Sequence, residues 1–97
     1  MTDNRGKHKI YSLVRVEILV RPKPGVPDPQ QNDVLDRLRA QGYILVTGAS
    51  RAKYFQIKLH KITKRNARGT ANAVGKRLLA NPVIEQFEVS KVEVLTP

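Results

Sequence analysis

The sequence predicts an α+β fold: a ferredoxin-like βαββαβ unit whose antiparallel sheet carries two helices on one face. Three stretches carry that prediction. A strictly alternating run follows Ile10, a capped helix start stands at Asp28-Pro29, and Leu78–Glu85 ends one helix and opens the last strand.

Met1–Lys9 is polar and basic and contains Gly6, the composition of a frayed arm, which leaves residues 10–97 as a single domain. Val14, Val16, Ile18 and Val20 then point one way, while Arg15, Glu17 and Arg21 point the other, with Leu19 among them. That is the period of a half-buried strand. Pro22, Pro24, Gly25 and Pro27 follow as a stiff connector.

The first helix starts where Asp28 can cap free N–H groups and Pro29 fits the first helical position. Gln31 stands at capping-box distance from Asp28. Val34, Leu35 and Leu38 form its apolar stripe, and Gly42 is its natural stop. Tyr43–Val46 is a short apolar run and predicts a strand. Phe55, Ile57 and Leu59 alternate with Gln56, Lys58 and His60 and predict the next one. The two are expected to pair as a hairpin, with its turn between Gly48 and Lys53.

Lys61–Arg68 reads as a basic connector, and a second helix is expected over about Ala67–Ala80. Gly69 and Gly75 each cost that helix about 1 kcal/mol relative to alanine. Its expected buried stripe is Ala67, Ala71, Val74 and Leu78, small enough for a close approach to the sheet. Pro82 has no N–H and disfavours helical geometry at Asn81, so these two residues are assigned a structural role as the stop. Val83 and Ile84 are expected to open the last strand. Phe87 and Val89 share one face there, but Val92 and Val94 fall on the other, which predicts a bulge near Ser90-Lys91.

Composition excludes several function classes. The 97 residues include no cysteine, which removes disulfides, thiol catalysis and thiolate metal sites. Met1–Lys9 has no apolar signal core, and no apolar run approaches the ~20 residues that span a bilayer. A cytoplasmic protein is expected. The net charge is +10, and eleven Lys or Arg residues with no Asp or Glu lie from Arg37 to Ile84. Such a block suits a polyanion, an acidic protein or simple solvation.

Candidate chemistry is sparse. His8 and His60 have no carboxylate at metal-ligand spacing, and Asp33 and Asp36 are solvent-facing on the first helix. No nucleophile–base set and no phosphate-binding glycine loop follow a strand. No catalytic residue, metal ligand or cofactor site is assigned to this chain. The RNA-recognition motif uses the same fold but needs glycines and exposed aromatics on its third strand. Here that strand is Arg51-Ala52-Lys53-Tyr54-Phe55-Gln56-Ile57, where both glycines are missing and only Tyr54 is free to stack a base.

Pro27-Asp28-Pro29-Gln30-Gln31, Arg51-Ala52-Lys53-Tyr54 and Leu78–Glu85 carry a family resemblance. The chain resembles the PurS family, the small subunit of bacterial phosphoribosylformylglycinamidine (FGAM) synthase, from about Val14 to Val94. Gln31 and Ala52 replace family glycines, Pro27 replaces a leucine, and Lys61, Lys64, Arg65 and Arg68 stand where members commonly carry acids. The resemblance implies a non-catalytic adaptor that forms a homodimer or a dimer of dimers. It would join a PurL-like synthetase to a PurQ-like glutaminase and support ammonia transfer, with ATP and Mg used by the synthetase. Asp28, Gln30, Arg51, Lys53, Tyr54, Lys61, Lys64, Arg65 and Arg68 are the candidate interface. The alternative reading is a small basic nucleic-acid-binding module on the same scaffold.

Overall fold

The computed structural model describes residues 8–26 and 29–97, so Met1–Lys7 of the expected arm and the expected cap Asp28 lie outside the described residues. The elements are β1 (Ile10–Pro22), α1 (Pro29–Ala40), β2 (Lys53–Thr63), α2 (Lys64–Val74), a π turn (Gly75–Leu79) and β3 (Glu85–Thr96). The three strands form one antiparallel sheet in the order β2-β1-β3, which puts the alternating strand in the centre.

The α+β expectation holds, with an antiparallel sheet and two helices. Val14, Val16 and Ile18 are 0% exposed and Val20 is 1% exposed, and they share their face with Ala67 and Ala71 of α2. Phe55, Ile57 and Leu59 on β2 and Phe87, Val89, Val92 and Val94 on β3 flank them. The bulge falls where the pattern placed it. Val16 pairs with Val92 and Glu17 with Lys91, but Ile18 pairs with Val89, so Ser90 is the extra residue. That one insertion returns both halves of β3 to the core face.

Tyr43–Val46, expected as a strand, is not one. The cause is the end of α1. Gly42, at φ 96, lets the Tyr43 N–H donate to Leu38 O and the Gly42 N–H to Arg39 O, both at 3.0 Å. This is a Schellman end. The Ile44 N–H then donates to Gly42 O and the Val46 N–H to Tyr43 O, so local turns use the groups a ladder would need. The expected hairpin is therefore absent. Tyr43, Ile44 and Leu45 remain exposed, at 60%, 77% and 90%. The layer packed on the sheet is α2 with the π turn; α1, expected beside α2 on that face, contributes little to it. The molecule is elongated, 57 × 28 × 27 Å, with a radius of gyration of 18.1 Å, against about 13 Å for a compact chain of this length.

The second helix starts at Lys64, three residues before its expected start at Ala67. Thr63 is the reason: its Oγ1 accepts the Asn66 N–H at 3.0 Å, so residues read as connector become the first turn. The far end also departs from expectation. A Cβ on Gly75 would lie 2.5 Å from Cδ2 of Phe87, so only glycine permits this approach to β3. From there the chain widens into the π turn, closed by the Ala80 N–H donating to Gly75 O at 3.0 Å. The wide turn moves the inward position along by one. Leu79 packs against the core, whereas Leu78, expected in the buried stripe, is 79% exposed. The last strand likewise begins at Glu85, and Val83 and Ile84 belong to the preceding turn.

Two pairs of substitutions check this packing by urea denaturation. Gly69→Ala should stabilise by about 0.5–1 kcal/mol, because nothing lies within 4 Å of its missing Cβ. Gly75→Ala should destabilise by roughly 1–3 kcal/mol despite the same propensity gain, through overpacking against Phe87. Leu78→Ala should change stability by less than about 0.5 kcal/mol, and Leu79→Ala should cost about 1–3 kcal/mol. Equal effects within either pair would contradict the π turn.

Candidate functional site

α2 and the π turn carry five of the eleven residues of the basic block. Ala67, Ala71 and Gly75 face the sheet and are buried, which leaves Lys64, Arg65, Arg68, Lys76 and Arg77 exposed on the other side. No acidic residue lies on these elements. Among the described residues the ion pairs are Arg15–Glu93, Arg21–Glu88, Lys53–Glu85 and Lys91–Glu93, and none uses a cation of the helix. Lys64 and Arg65 stand in the first turn, where the helix dipole disfavours positive charge. Lys64 Nζ lies 5.9 Å and Lys9 Nζ 5.3 Å from the centre of the Tyr11 ring. Lys61, at the end of β2, has φ 52, a left-handed conformation that side chains other than glycine rarely adopt.

The other candidate residues lie apart from this face. Gln30 is in the first turn of α1, whereas Asp28 is outside the described residues. Arg51 lines an open cleft of about 650 Å³ between Ser50–Ala52 and the connector after β1, where Arg21 and Lys23 also line it. Lys53 opens β2 and lies 3.5 Å from Glu85. Tyr54 is 51% exposed, and its hydroxyl accepts from Gln56 Nε2 at 3.0 Å. The eight described candidates are thus spread over α1, the stretch that opens β2, the end of β2 and the start of α2.

Asn81 and Pro82 hold the turn before β3. Asn81 Oδ1 accepts the Val83 N–H at 3.1 Å, and its N–H donates to Glu85 Oε1 at 2.8 Å. Lys23 Nζ donates to Pro82 O at 2.6 Å, which ties this turn to the connector after β1. Lys76, Arg77 and the outward Leu78 were not among the candidates. The small residues Ala67, Ala71 and Gly75 keep a four-residue spacing that continues to Leu79, and that spacing was the available signal. Among the described residues, no three His, Cys, Asp or Glu side chains group as a metal site, and no helix is long and apolar enough to cross a membrane.

The family model PurS, described as phosphoribosylformylglycinamidine (FGAM) synthase, matches residues 15–93, from the middle of β1 nearly to the end of β3. The chain belongs to the PurS family. It is 30% identical over 73 residues to the FGAM synthase subunit PurS of Archaeoglobus fulgidus, covering 75% of this chain and 91% of that one. Among solved structures it is similar to PurS of Thermus thermophilus, with a TM-score of 0.76 and 29% identity over 86% of this chain and 98% of that one. It is also similar to a chain in the structure of PurLQS from Thermotoga maritima, with a TM-score of 0.71 and 25% identity over 86% of this chain and 98% of that one. In this PurS-family chain the three-stranded sheet spans the matched residues, and α2 lies within them.

On the opposite sheet face, Arg15 donates to Glu93 at 2.6 Å and Lys91 lies 3.2 Å away. First the Arg15 hydrogen bond and then Lys91 hold the Glu93 carboxyl below the usual glutamate range. A carboxyl lowered by folding adds stability above its unfolded pKa and loses it as pH falls through the folded one. Acid titration of stability should therefore show Glu93→Gln less stable than the parent at neutral pH, with the difference closing below the usual glutamate range. A constant difference across that window would remove Glu93 from the acid transition.

Proposed function

We propose that this chain is the non-catalytic adaptor subunit of an ATP- and glutamine-dependent FGAM synthase in purine biosynthesis. The observation that carries the reading is the PurS match across residues 15–93, together with the similarity to a chain of PurLQS. In this reading the chain joins a PurL-like synthetase to a PurQ-like glutaminase and supports the passage of ammonia between them. ATP and Mg serve the synthetase, this chain holds no cofactor of its own, and the complex works in the cytoplasm. The chemistry belongs to the assembled ligase.

A second copy of the chain belongs to the same reading. Tyr43, Ile44 and Leu45 are an exposed apolar run beyond α1, and β2 is an edge strand with an unpaired side among the described residues. Covering both in a dimer removes apolar area from water and fills an open ladder. Such a pairing also suits a small, elongated chain that buries a modest core.

Reconstitution tests the reading. The purified chain alone should show no glutamine- or ATP-dependent turnover. Added to its synthetase and glutaminase, it should restore glutamine-dependent FGAM synthesis. Turnover by the isolated chain, or no effect on the other two subunits, would refute it. Sedimentation at micromolar concentration should show a dimer or larger species, and Leu45→Asp should shift it toward monomer.

A further inference from the structure

We infer that the outward face of α2 and its π turn is a protein-docking surface that receives an acidic patch of a partner subunit, with Leu78 as its apolar anchor. The inference rests on the adaptor reading and names the surface that does the joining.

Two independent observations converge on this face. The first is charge. Lys64, Arg65, Arg68, Lys76 and Arg77 are all exposed along α2 and the π turn, a stretch about 21 Å long at 1.5 Å per residue, with no acid on these elements and no ion pair to them among the described residues. The second is the π turn. Gly75 and Leu79 pack toward the sheet, and the turn leaves Lys76, Arg77 and Leu78 exposed, Leu78 at 79%. An α-helical continuation would have kept position 78 nearer the buried stripe. Val83, 77% exposed, follows in the next turn. A large exposed apolar side chain next to Lys76 and Arg77, which make no ion pair among the described residues, has the anatomy of an apolar anchor with a charged rim.

Charge also selects the occupant. A second copy set symmetrically on this face would place cations against cations, so the surface is not the self-association face. A nucleic acid would be met by a basic groove with stacking aromatics. Here Tyr11 is flanked by Lys9 and Lys64 and packs against the core, and Tyr54, near the start of β2, lies on the opposite side of the sheet from Phe55. Leu78 and Val83 have no role against a phosphate backbone. An acidic protein surface satisfies both the cations and the leucine.

The test uses the full chain with the synthetase and glutaminase subunits from the same source. Binding is measured without substrates, and glutamine-dependent turnover separately. Lys64→Glu/Arg68→Glu/Lys76→Glu should weaken assembly about tenfold or more, Leu78→Ser alone by several-fold, and added salt should weaken the parent. Lys58→Glu, exposed on the other sheet face, should assemble as the parent does. Lys64→Glu suits the helix dipole at its N-terminus and Lys76→Glu opposes it near the C-terminus, so the triple variant should melt close to the parent, and melting separates lost docking from lost folding. Restored turnover with parent-like binding by the triple and Leu78 variants would overturn the docking surface and leave the adaptor reading intact. Parent binding that the variants lose, without any turnover, would keep the surface and refute the adaptor reading. No assembly by the parent would overturn both. Salt-sensitive binding to a random-sequence duplex, lost in the triple variant while subunit assembly is kept, would assign the face to nucleic acid instead.

Discussion

The contact between Gly75 and the Phe87 ring is the constraint on which the rest of the fold depends. A three-stranded sheet with one helix packed on it has little apolar area to bury, so that helix must sit close. Ala67 and Ala71 allow the approach in the first turns, and Gly75 allows it where Phe87 stands highest. Beyond that point a regular helix would collide with the strand or leave it. The π turn resolves the conflict with one wider loop of chain, which returns Leu79 to the core and lets Asn81–Glu85 reverse into β3.

The same geometry sorts charge. Once small residues face the sheet, every long side chain of α2 must point to solvent, and in this chain most of those that do are cationic. Residues on the sheet's far face behave differently, since Arg15, Arg21, Lys91, Glu88 and Glu93 neutralise one another across β1 and β3. Among the described residues, one side of the molecule is internally compensated and the cations of α2 and the π turn are not. That asymmetry, more than the total charge, marks where a partner of opposite sign belongs.

These features fit a subunit that works by position. A close-packed sheet and helix give a rigid platform, while α1 and the exposed Tyr43–Leu45 run extend from it. In the proposed reading, a PurS-family chain so built offers separate surfaces: one for a second copy of itself, one for an acidic neighbour. The dipole penalty at Lys64 and Arg65 is small in the free chain, and an anionic surface docked there would offset it.

By itself, the sequence determined those features whose signals are local. The alternation of β1, the proline and glycine punctuation of α1, the helix stop at Asn81-Pro82 and the Ser90 bulge were all legible, because each depends on neighbouring side chains and backbone preferences. Motifs spaced along the chain likewise carried the family. Tertiary structure decided the rest. Tyr43–Val46 has the residues of a strand, yet the backbone bonds of the Schellman end take its donors. The inward position belongs to Leu79 and not Leu78 because Phe87, twelve residues beyond Gly75 in sequence, limits how the helix can end. Which of two adjacent leucines meets solvent is set by a contact across the sheet, and no local propensity encodes that contact.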